Sequence, residues 1–299
     1  MIYTVTLNPT IDCTMWVDTL EKGKTNRSTD ELISVGGKGI NVSVVLNELG
    51  FPSVATGFIA GFTGDAVEKI LQMKGIETDF VRLPEGSTRI NVQIKEKNET
   101  EINCNGPEVG IESQHRIFEK LERLSKGDVL VLAGSRPRGV AVDFYARIIE
   151  KVQPKGVLAI VDTTGQALIE ALKYKPFLIK PNLSELEEIT GKKLNSIDEI
   201  FATAESLKKQ GAKNVIVSMG GDGAILVDSN GKHYKAEKVE GRCVNSVGAG
   251  DSLVAGFIAG ILETGDYELA LKLGCSAGAA TAFCEGIAEK KNILEVFNR

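Results

Sequence analysis

Short apolar runs alternate with segments of helical spacing along most of the chain. The runs are apolar throughout, which is typical of strands in a parallel sheet that helices cover on both faces. The pattern therefore predicts an α/β fold with a mostly parallel central sheet. The predicted strands are residues 3–7, 54–59, 129–133, 158–162, 177–180 and 214–218, with a possible hairpin return at 224–227. The predicted helices include residues 42–49, 65–74, 113–124, 143–151, 166–173, 198–210 and 267–283.

Two pairs of segments differ from this strand-and-helix pattern, because their apolar and polar residues alternate. Residues 14–17 and 31–35 form the first pair, and residues 90–95 and 99–103 form the second. Alternation with a period of two predicts β-hairpins. We expect them to form a small β-sheet lid, made by about residues 12–35 and 87–105 within a single domain of residues 1–299.

A glycine-rich turn that runs directly into an apolar helix lies at residues 245–260. The first backbone N–H groups of such a helix have no internal partners and can hold an anion. Asp251 lies in this turn and has two interpretations. It could cap the helix, or it could accept the proton of an attacking hydroxyl while the N–H groups stabilise a transferred phosphoryl group.

Other polar residues follow predicted strands, where open α/β sheets bind ligands. Asp12 follows the first strand and is either a ligand contact or a turn residue. Lys38 and Asn41 lie where the glycines of residues 36–39 lead into a helix, so this segment also offers backbone, charge and amide groups to a ligand.

Two later segments suggest a nucleotide and its metal. Lys180, Asn182 and Glu185 suit phosphate oxygens and a hydrated Mg²⁺ ion, although a helix cap of Asn182 with Glu185 explains the same residues. The glycine loop at 218–223 could contact a nucleotide or be only a hairpin turn. The small residues of the helix at 267–283 allow either a flat ligand or tight helix packing.

Composition excludes several classes of function. Five scattered cysteines without a C-x-x-C spacing and only two histidines argue against a disulfide framework, a zinc site or a Ser-His-Asp triad. A net charge of −5 provides no general attraction to nucleic acid. We also expect no membrane span and no secretion signal, and therefore a cytoplasmic protein.

Two motifs resemble the signatures of the phosphofructokinase-B, or ribokinase-like, family of sugar kinases. They are Gly36-Gly37-Lys38-Gly39-Ile40-Asn41 and Val247-Gly248-Ala249-Gly250-Asp251-Ser252, and the similarity covers essentially the whole chain. The resemblance implies a three-layer ribokinase-like core with a small β lid, ATP and Mg²⁺ as cofactors, and a homodimer formed through the lid.

The resemblance also implies roles for single residues. Asp251 would be the catalytic base, and the anion hole would consist of Gly248, Ala249 and Gly250. The sugar would contact Asp12, Gly37, Lys38 and Asn41. Lys180 and Asn182 would face the phosphates, and Glu185 the Mg²⁺ ion. The nucleotide would lie against Ser218, Gly220, Gly221, Gly223, Asn245, Cys275 and Ala279.

Three further segments are similar to the branch of this family that acts on ketohexose phosphates. They are Thr6–Pro9, Thr88–Val92 and Thr100–Asn103. A phosphosugar needs cations beyond the ATP site. The candidates for these cations are Arg27, Lys38, Arg89, Arg136 and Arg138, although the branch usually has small or proline residues where this chain reads Ser135-Arg136-Pro137-Arg138.

The expected reaction is ATP-dependent phosphorylation of a ketohexose phosphate. Fructose 1-phosphate is favoured over tagatose 6-phosphate, because Thr88–Val92 is more similar to proteins that act on the former. A non-enzymatic sensor of sugars or nucleotides is the alternative from another class. Asp251 separates the two hypotheses, since a binding module needs no proton acceptor in an anion site.

Overall fold

The computed structural model describes all residues 1–299. In chain order its strands are β1 (Ile2–Thr6), β2 (Thr10–Trp16), β3 (Asp30–Gly36), β4 (Val54–Ile59), β5 (Glu77–Thr78), β6 (Val81–Arg82), β7 (Arg89–Lys95), β8 (Thr100–Ile102), β9 (Val129–Ala133), β10 (Leu158–Asp162), β11 (Leu178–Ile179), β12 (Asn214–Ser218), β13 (Ala224–Val227) and β14 (His233–Ala236). The helices are α1 (Lys38–Glu48), α2 (Gly61–Met73), α3 (Ile111–Leu121), α4 (Phe144–Val152), α5 (Gly165–Leu172), α6 (Leu183–Thr190), α7 (Ile197–Gln210), α8 (Ala249–Thr264), α9 (Tyr267–Ala282) and α10 (Lys290–Phe297).

Ten strands form the central sheet, in the order β14-β13-β12-β11-β10-β9-β1-β4-β5, with β6 also paired to β4. The pairs from β12 to β5 are parallel, whereas β13 pairs antiparallel with both β12 and β14. The sheet is therefore mostly parallel, as the apolar strands predict, and the β12–β13 turn is a hairpin.

Helices cover both faces of the sheet because the side chains of each strand point alternately to either side. Ile2 and Val129 pack in one cluster with residues of α1, α8, α9 and α10. Tyr3 and Leu130, one residue further along the same strands, pack in the other cluster with residues of α3 to α7. The three-layer α/β core expected from the family resemblance is thereby confirmed.

The remaining four strands form a separate small sheet in the order β3-β2-β7-β8. Its pairs are antiparallel except for β2 and β7, which run parallel. This sheet contains both pairs of alternating segments of the sequence, so the prediction of a second, smaller sheet is also confirmed.

Helices α8 and α9 approach each other with their backbones nearly in contact. A Cβ atom on Gly256 would lie 2.7 Å from the carbonyl oxygen of Leu273, and one on Gly274 would lie 2.7 Å from that of Leu253. Such distances leave no room for a side chain at either glycine, which explains the many small residues in both helices.

The sequence pattern missed several short or exposed elements. Strands β5 and β6 contain only two residues each, and β14 is a half-exposed edge strand without a continuous apolar run. Helix α10 was also missed; it buries only Ile293 and Val296. No helix in the structure combines the length and apolar character that crossing a membrane requires.

Candidate active site

A cavity of about 750 Å³ lies at the carboxyl ends of the parallel strands, the edge where open α/β sheets bind ligands. The small sheet and the first turns of α1 and α8 also line it. Of the residues predicted to bind ligands, the cavity lining contains Asp12, Gly37, Lys38, Asn41, Arg89, Lys180, Asn182, Glu185, Ser218, Gly220, Gly221, Gly223, Gly248, Ala249, Gly250, Asp251, Cys275 and Ala279.

The N-terminus of α8 faces this cavity. Gly248 precedes the helix with φ of 81°, a left-handed conformation that glycine adopts without strain. The Ala249 N–H donates to the Ser246 carbonyl, whereas the Gly250 and Asp251 N–H groups donate to no protein acceptor. These two N–H groups, together with the helix dipole, can hold an anion in the cavity.

Asp251 lies in the first turn of α8 and is only 6% exposed. Asn41, on α1, donates a hydrogen bond from Nδ2 to Oδ2 of Asp251, with a distance of 2.8 Å. Burial, and next the charge of Asp162, raise the pKa of the Asp251 carboxyl to about 7, although Asn41 and two nearby lysines oppose the shift. A carboxyl group with such a pKa can accept a proton near neutral pH.

The two lysines are Lys38 and Lys180, and both contact the buried carboxylate of Asp162, which is 1% exposed. Lys38 Nζ lies 2.9 Å from Oδ1 of Asp162, and Lys180 Nζ lies 3.4 Å from its Oδ2. Burial disfavours the charged form of Asp162. The attraction of the two ammonium groups outweighs this effect and holds the pKa of the Asp162 carboxyl below its usual value. Burial likewise disfavours the ammonium form of Lys38, yet Asp162 holds its pKa above the usual value.

This charged cluster is close to the helix that carries Asp251. A Cβ atom on Gly250 would lie 3.3 Å from Lys180 Nζ, so the lysine ammonium sits beside the free N–H groups of α8. The two ammonium groups and these N–H groups form one positively polarised region. Such a region stabilises the charge that develops on a phosphoryl group in transfer.

The small sheet contributes a polar face on the opposite side of the cavity. Asp12 on β2 accepts hydrogen bonds at Oδ1 from Thr10 Oγ1, at 3.2 Å, and from Asn91 Nδ2, at 3.0 Å. Arg89 lies two residues before Asn91 on β7, and its Nε donates to the carbonyl oxygen of Asn8 at 3.2 Å. A carboxylate and a guanidinium therefore face the same space.

Asn182 and Glu185 form the capping box that was one of their two interpretations. The Glu185 N–H donates to Asn182 Oδ1, and the Asn182 N–H donates to Glu185 Oε2, both at 2.8 Å. The buried Oδ2 of Asp162 lies within ion-pair distance of Lys180 Nζ, whereas one oxygen of Glu185 stays free of protein donors. Carboxylate oxygens of this kind fit Mg²⁺, which binds one or two carboxylates and completes its shell with water and phosphate oxygens.

The far end of the cavity is lined by backbone and small side chains. Gly223 follows the short turn Gly220–Asp222 with φ of 84°, and Ser218 ends β12 beside it. Cys275 and Ala279 line the opposite side from α9. Burial raises the pKa of the Cys275 thiol to about 12, so this cysteine is a packing residue and not a nucleophile.

Four residues predicted to bind ligands do not line the cavity. Arg27 lies in the exposed segment between β2 and β3. The Arg136 guanidinium donates to the carbonyl oxygen of Val140, at 2.7 Å. Asn245 stabilises the turn before α8. Its Nδ2 donates to the Glu285 carbonyl, and its Oδ1 accepts from the Val247 N–H. Arg138 similarly lies outside the lining and donates to the Gly106 carbonyl.

Sequence reasoning missed Asp162 and Asn91. Asp162 ends a buried parallel strand, so the rule that selected Asp12 would also have selected it. Asn91 lies two residues after Arg89 in a predicted strand, and this spacing places both side chains on one face. A consistent search of strand ends and strand faces would have found both.

A proton acceptor, an anion site and adjacent ammonium groups are the parts that phosphoryl transfer to a hydroxyl group requires. The class of protein is therefore a phosphotransferase with an alcohol group as acceptor. The chain belongs to the pfkB family of carbohydrate kinases, whose family pattern matches residues 5–293.

Comparison with individual proteins agrees with this family. The chain is 43% identical to 1-phosphofructokinase of Bacillus subtilis over 99% of this chain and 97% of that protein. It is 35% identical to tagatose-6-phosphate kinase of Staphylococcus epidermidis, over 94% of this chain and 92% of that protein. The crystal structure of Escherichia coli phosphofructokinase-2 in complex with substrates and products superimposes with a TM-score of 0.93, at 27% identity, and covers 99% of this chain and 98% of that one.

Proposed function

We propose that this protein transfers the γ-phosphoryl group of ATP to fructose 1-phosphate and forms fructose 1,6-bisphosphate. The observation that carries the proposal is the position of Asp251, buried in the first turn of α8 between the polar face of the small sheet and the ammonium groups of Lys38 and Lys180. Similarity to the 1-phosphofructokinase of Bacillus subtilis supports the choice of sugar.

In the proposed mechanism, Asp251 accepts the proton of the primary hydroxyl group at carbon 6 of the sugar. Asn41 orients this carboxylate through its hydrogen bond to Oδ2. The deprotonated oxygen then attacks the γ-phosphorus in line, the bond to the β-phosphate oxygen breaks, and ADP leaves. The N–H groups of Gly250 and Asp251 stabilise the charge on the transferred group.

Lys38 and Lys180 stabilise the same charge from the other side, and Asp162 keeps both ammonium groups in place. Glu185 supplies the free carboxylate oxygen that would hold Mg²⁺ through its bound water. The ion, when bound with ATP, neutralises phosphate charge and helps to align the γ-phosphoryl group.

A direct assay of substrate choice tests the proposal. Fructose 1-phosphate, fructose 6-phosphate, tagatose 6-phosphate and tagatose 1-phosphate are each supplied with MgATP, and ADP release is coupled to NADH oxidation. We expect the highest kcat/KM for fructose 1-phosphate. A preference for tagatose 6-phosphate would select the alternative function, which the Staphylococcus epidermidis relative supports. Failure to phosphorylate any of these sugars would favour the non-enzymatic sensor.

Arg89 is the proposed contact for the phosphate already present on the sugar. Its guanidinium is fixed by the Asn8 carbonyl and still has free N–H groups for a phosphate. We therefore expect Arg89→Ala to raise KM for the sugar phosphate by about 10- to 100-fold, as the loss of a charge-assisted hydrogen bond implies. The KM for unphosphorylated fructose should stay unchanged.

The matched control for this variant is Arg82→Ala. Arg82 pairs with Asp65 and Glu68 on the surface, outside the cavity, so its removal should change neither KM value. An equal rise in KM for phosphorylated and unphosphorylated sugar in Arg89→Ala would contradict the phosphate contact.

We further infer that the chain acts as one functional unit in which the small sheet serves as the lid and forms the contact of a homodimer. The face of this sheet that is turned away from the cavity carries Cys13, Ile33, Ile90 and Ile102, and Ile33 is 64% exposed. Apolar side chains in such a row are typical of a protein interface.

A cytoplasmic location is part of the same proposal, since ATP and sugar phosphates are charged metabolites.

Ile33→Asp tests the dimer. A charge at this exposed apolar position should shift sedimentation equilibrium from dimer toward monomer, because the carboxylate would have to be buried without a partner. Leu32→Asp, on the same strand but on the cavity side of the sheet, is the control and should remain dimeric. A wild-type protein that sediments as a monomer at all concentrations would refute the dimer.

A further inference from the structure

Asn91 is a buried cavity residue, 8% exposed, whose function is not explained by the mechanism above. It lies directly opposite Asp12 in the parallel pairing of β2 with β7. The register places the two side chains on the cavity face of the small sheet, where Asp12 is the proposed contact of the sugar.

Both ends of the Asn91 amide are engaged, and the partners determine its orientation. Its Oδ1 accepts a hydrogen bond of 3.2 Å from the backbone N–H of Cys104, which can only donate. Its Nδ2 therefore must face Asp12, and it donates to Oδ1 of that carboxylate at 3.0 Å. A reversed amide would place two donors against each other at Cys104.

The carboxylate of Asp12 is consequently restrained on one side only. Oδ1 accepts from both Asn91 and Thr10, whereas Oδ2 accepts no hydrogen bond from the protein. A Cβ atom on Gly36 would lie 1.9 Å from this Oδ2, so only a glycine at that position leaves space for the oxygen. Oδ2 is the acceptor that remains for a hydroxyl group of the substrate.

The geometry points to Asn91 as a positioning residue, which orients Asp12 for the sugar and links this contact, through Cys104, to the segment that leaves the small sheet. The inference rests on the proposed function, because it assumes that Asp12 binds the sugar phosphate. It predicts that Asn91 determines KM for the sugar while leaving the transfer step itself unchanged.

The electrostatic surroundings of Asp12 supply a readout that a purely structural role would not affect. Burial raises the pKa of the Asp12 carboxyl, and the hydrogen bonds from Thr10 and Asn91 oppose this shift. The charged groups that face it are Arg89 on β7, which lowers the pKa, and Glu101 beyond it on β8, which raises the pKa. Loss of the Asn91 donor should therefore raise the pKa of Asp12 further.

Two variants of Asn91 separate its hydrogen bond to Asp12 from its hydrogen bond to the Cys104 N–H. Asn91→Ala should raise KM for fructose 1-phosphate by about 10-fold or more, with kcat and KM for ATP unchanged, and the loss of sugar affinity at low pH should begin at a higher pH than in the wild type. Asn91→Asp keeps an acceptor for the Cys104 N–H but places a like charge against Asp12. Its KM should exceed that of Asn91→Ala above neutral pH and fall as the pH is lowered, because one shared proton restores the hydrogen bond.

Thr14→Val is the matched control. It removes a hydrogen bond of 3.2 Å to Gln93, two residue pairs further along the same two strands, and should leave KM unchanged. If Asn91→Asp binds the sugar as well as the wild type does, Asn91 holds only the Cys104 segment and the inference is overturned. An inactive wild-type protein would instead refute the proposed function, so the two failures are distinguishable.

Discussion

Asp251→Asn should lower kcat by about 10²- to 10⁴-fold and leave the KM values for sugar phosphate and ATP close to those of the wild type, as expected for loss of a general base. The amide keeps the shape of the side chain and an oxygen for Asn41, but it cannot take up a proton.

In the wild type, kcat/KM should rise with pH around 7 and fall about tenfold per unit below it, because protonated Asp251 is no longer a base.

The folded protein should not lose stability in this variant at pH 8. The pKa of Asp251 is raised on folding, so the stability that it contributes is present below the pKa of the unfolded chain and is lost as the pH rises through about 7.

Asp266→Asn makes the same change at the N-terminus of the neighbouring helix α9, away from the cavity, and should retain wild-type kcat. Wild-type turnover in Asp251→Asn would exclude the proposed mechanism.

Asp162→Asn should produce the largest loss of stability. The substitution leaves Lys180, which is 4% exposed, without a counter-charge in the protein interior. Breaking a buried ion pair in this way costs about 3–5 kcal/mol. Thermal unfolding should therefore show a Tm lower by on the order of 10 °C, and kcat/KM should fall with it because both ammonium groups lose their anchor.

Asp79→Asn is the matched control for this prediction. Asp79 also lies between two cations, Lys120 and Arg123, but it is 24% exposed and its pairs are solvated. Its loss should cost only about 1 kcal/mol or less. The double variant Asp162→Asn/Lys180→Met should regain much of the stability and none of the activity. A Tm of Asp162→Asn equal to that of Asp79→Asn would show that the buried cluster does not stabilise the fold.

The core of the fold could be predicted because its strands are continuous apolar runs. Residues 54–59, 129–133 and 214–218 were predicted with the bounds that the structure has. Strand β14 could not be, since its residues are half-exposed and its pairing with β13 depends on the hairpin that precedes it. Short edge strands carry too few buried side chains to leave a pattern.

The site was predictable wherever a motif holds its residues close together in the chain, as at Asp251 and Lys38. The cluster around Asp162 has no such local signal, because its lysine partner Lys38 is separated from it by 124 residues and is brought close only by the order of the strands. Arg136 shows the opposite case. Charge alone suggested a phosphate contact, but the local turn satisfies its guanidinium with a backbone carbonyl.

The backbone contact between α8 and α9 limits which phosphoryl donors the enzyme could be re-engineered to accept. Cys275 and Ala279 lie on helix α9, which cannot move closer to α8 or turn a larger residue toward it, since a Cβ atom on Gly278 would already lie 2.9 Å from the Ala249 carbonyl oxygen. Cys275 and Ala279 are proposed nucleotide contacts, so space for a bulkier purine substituent should not be sought by moving this helix. It would have to be opened in the facing segment of residues 237–243, which belongs to no helix or strand.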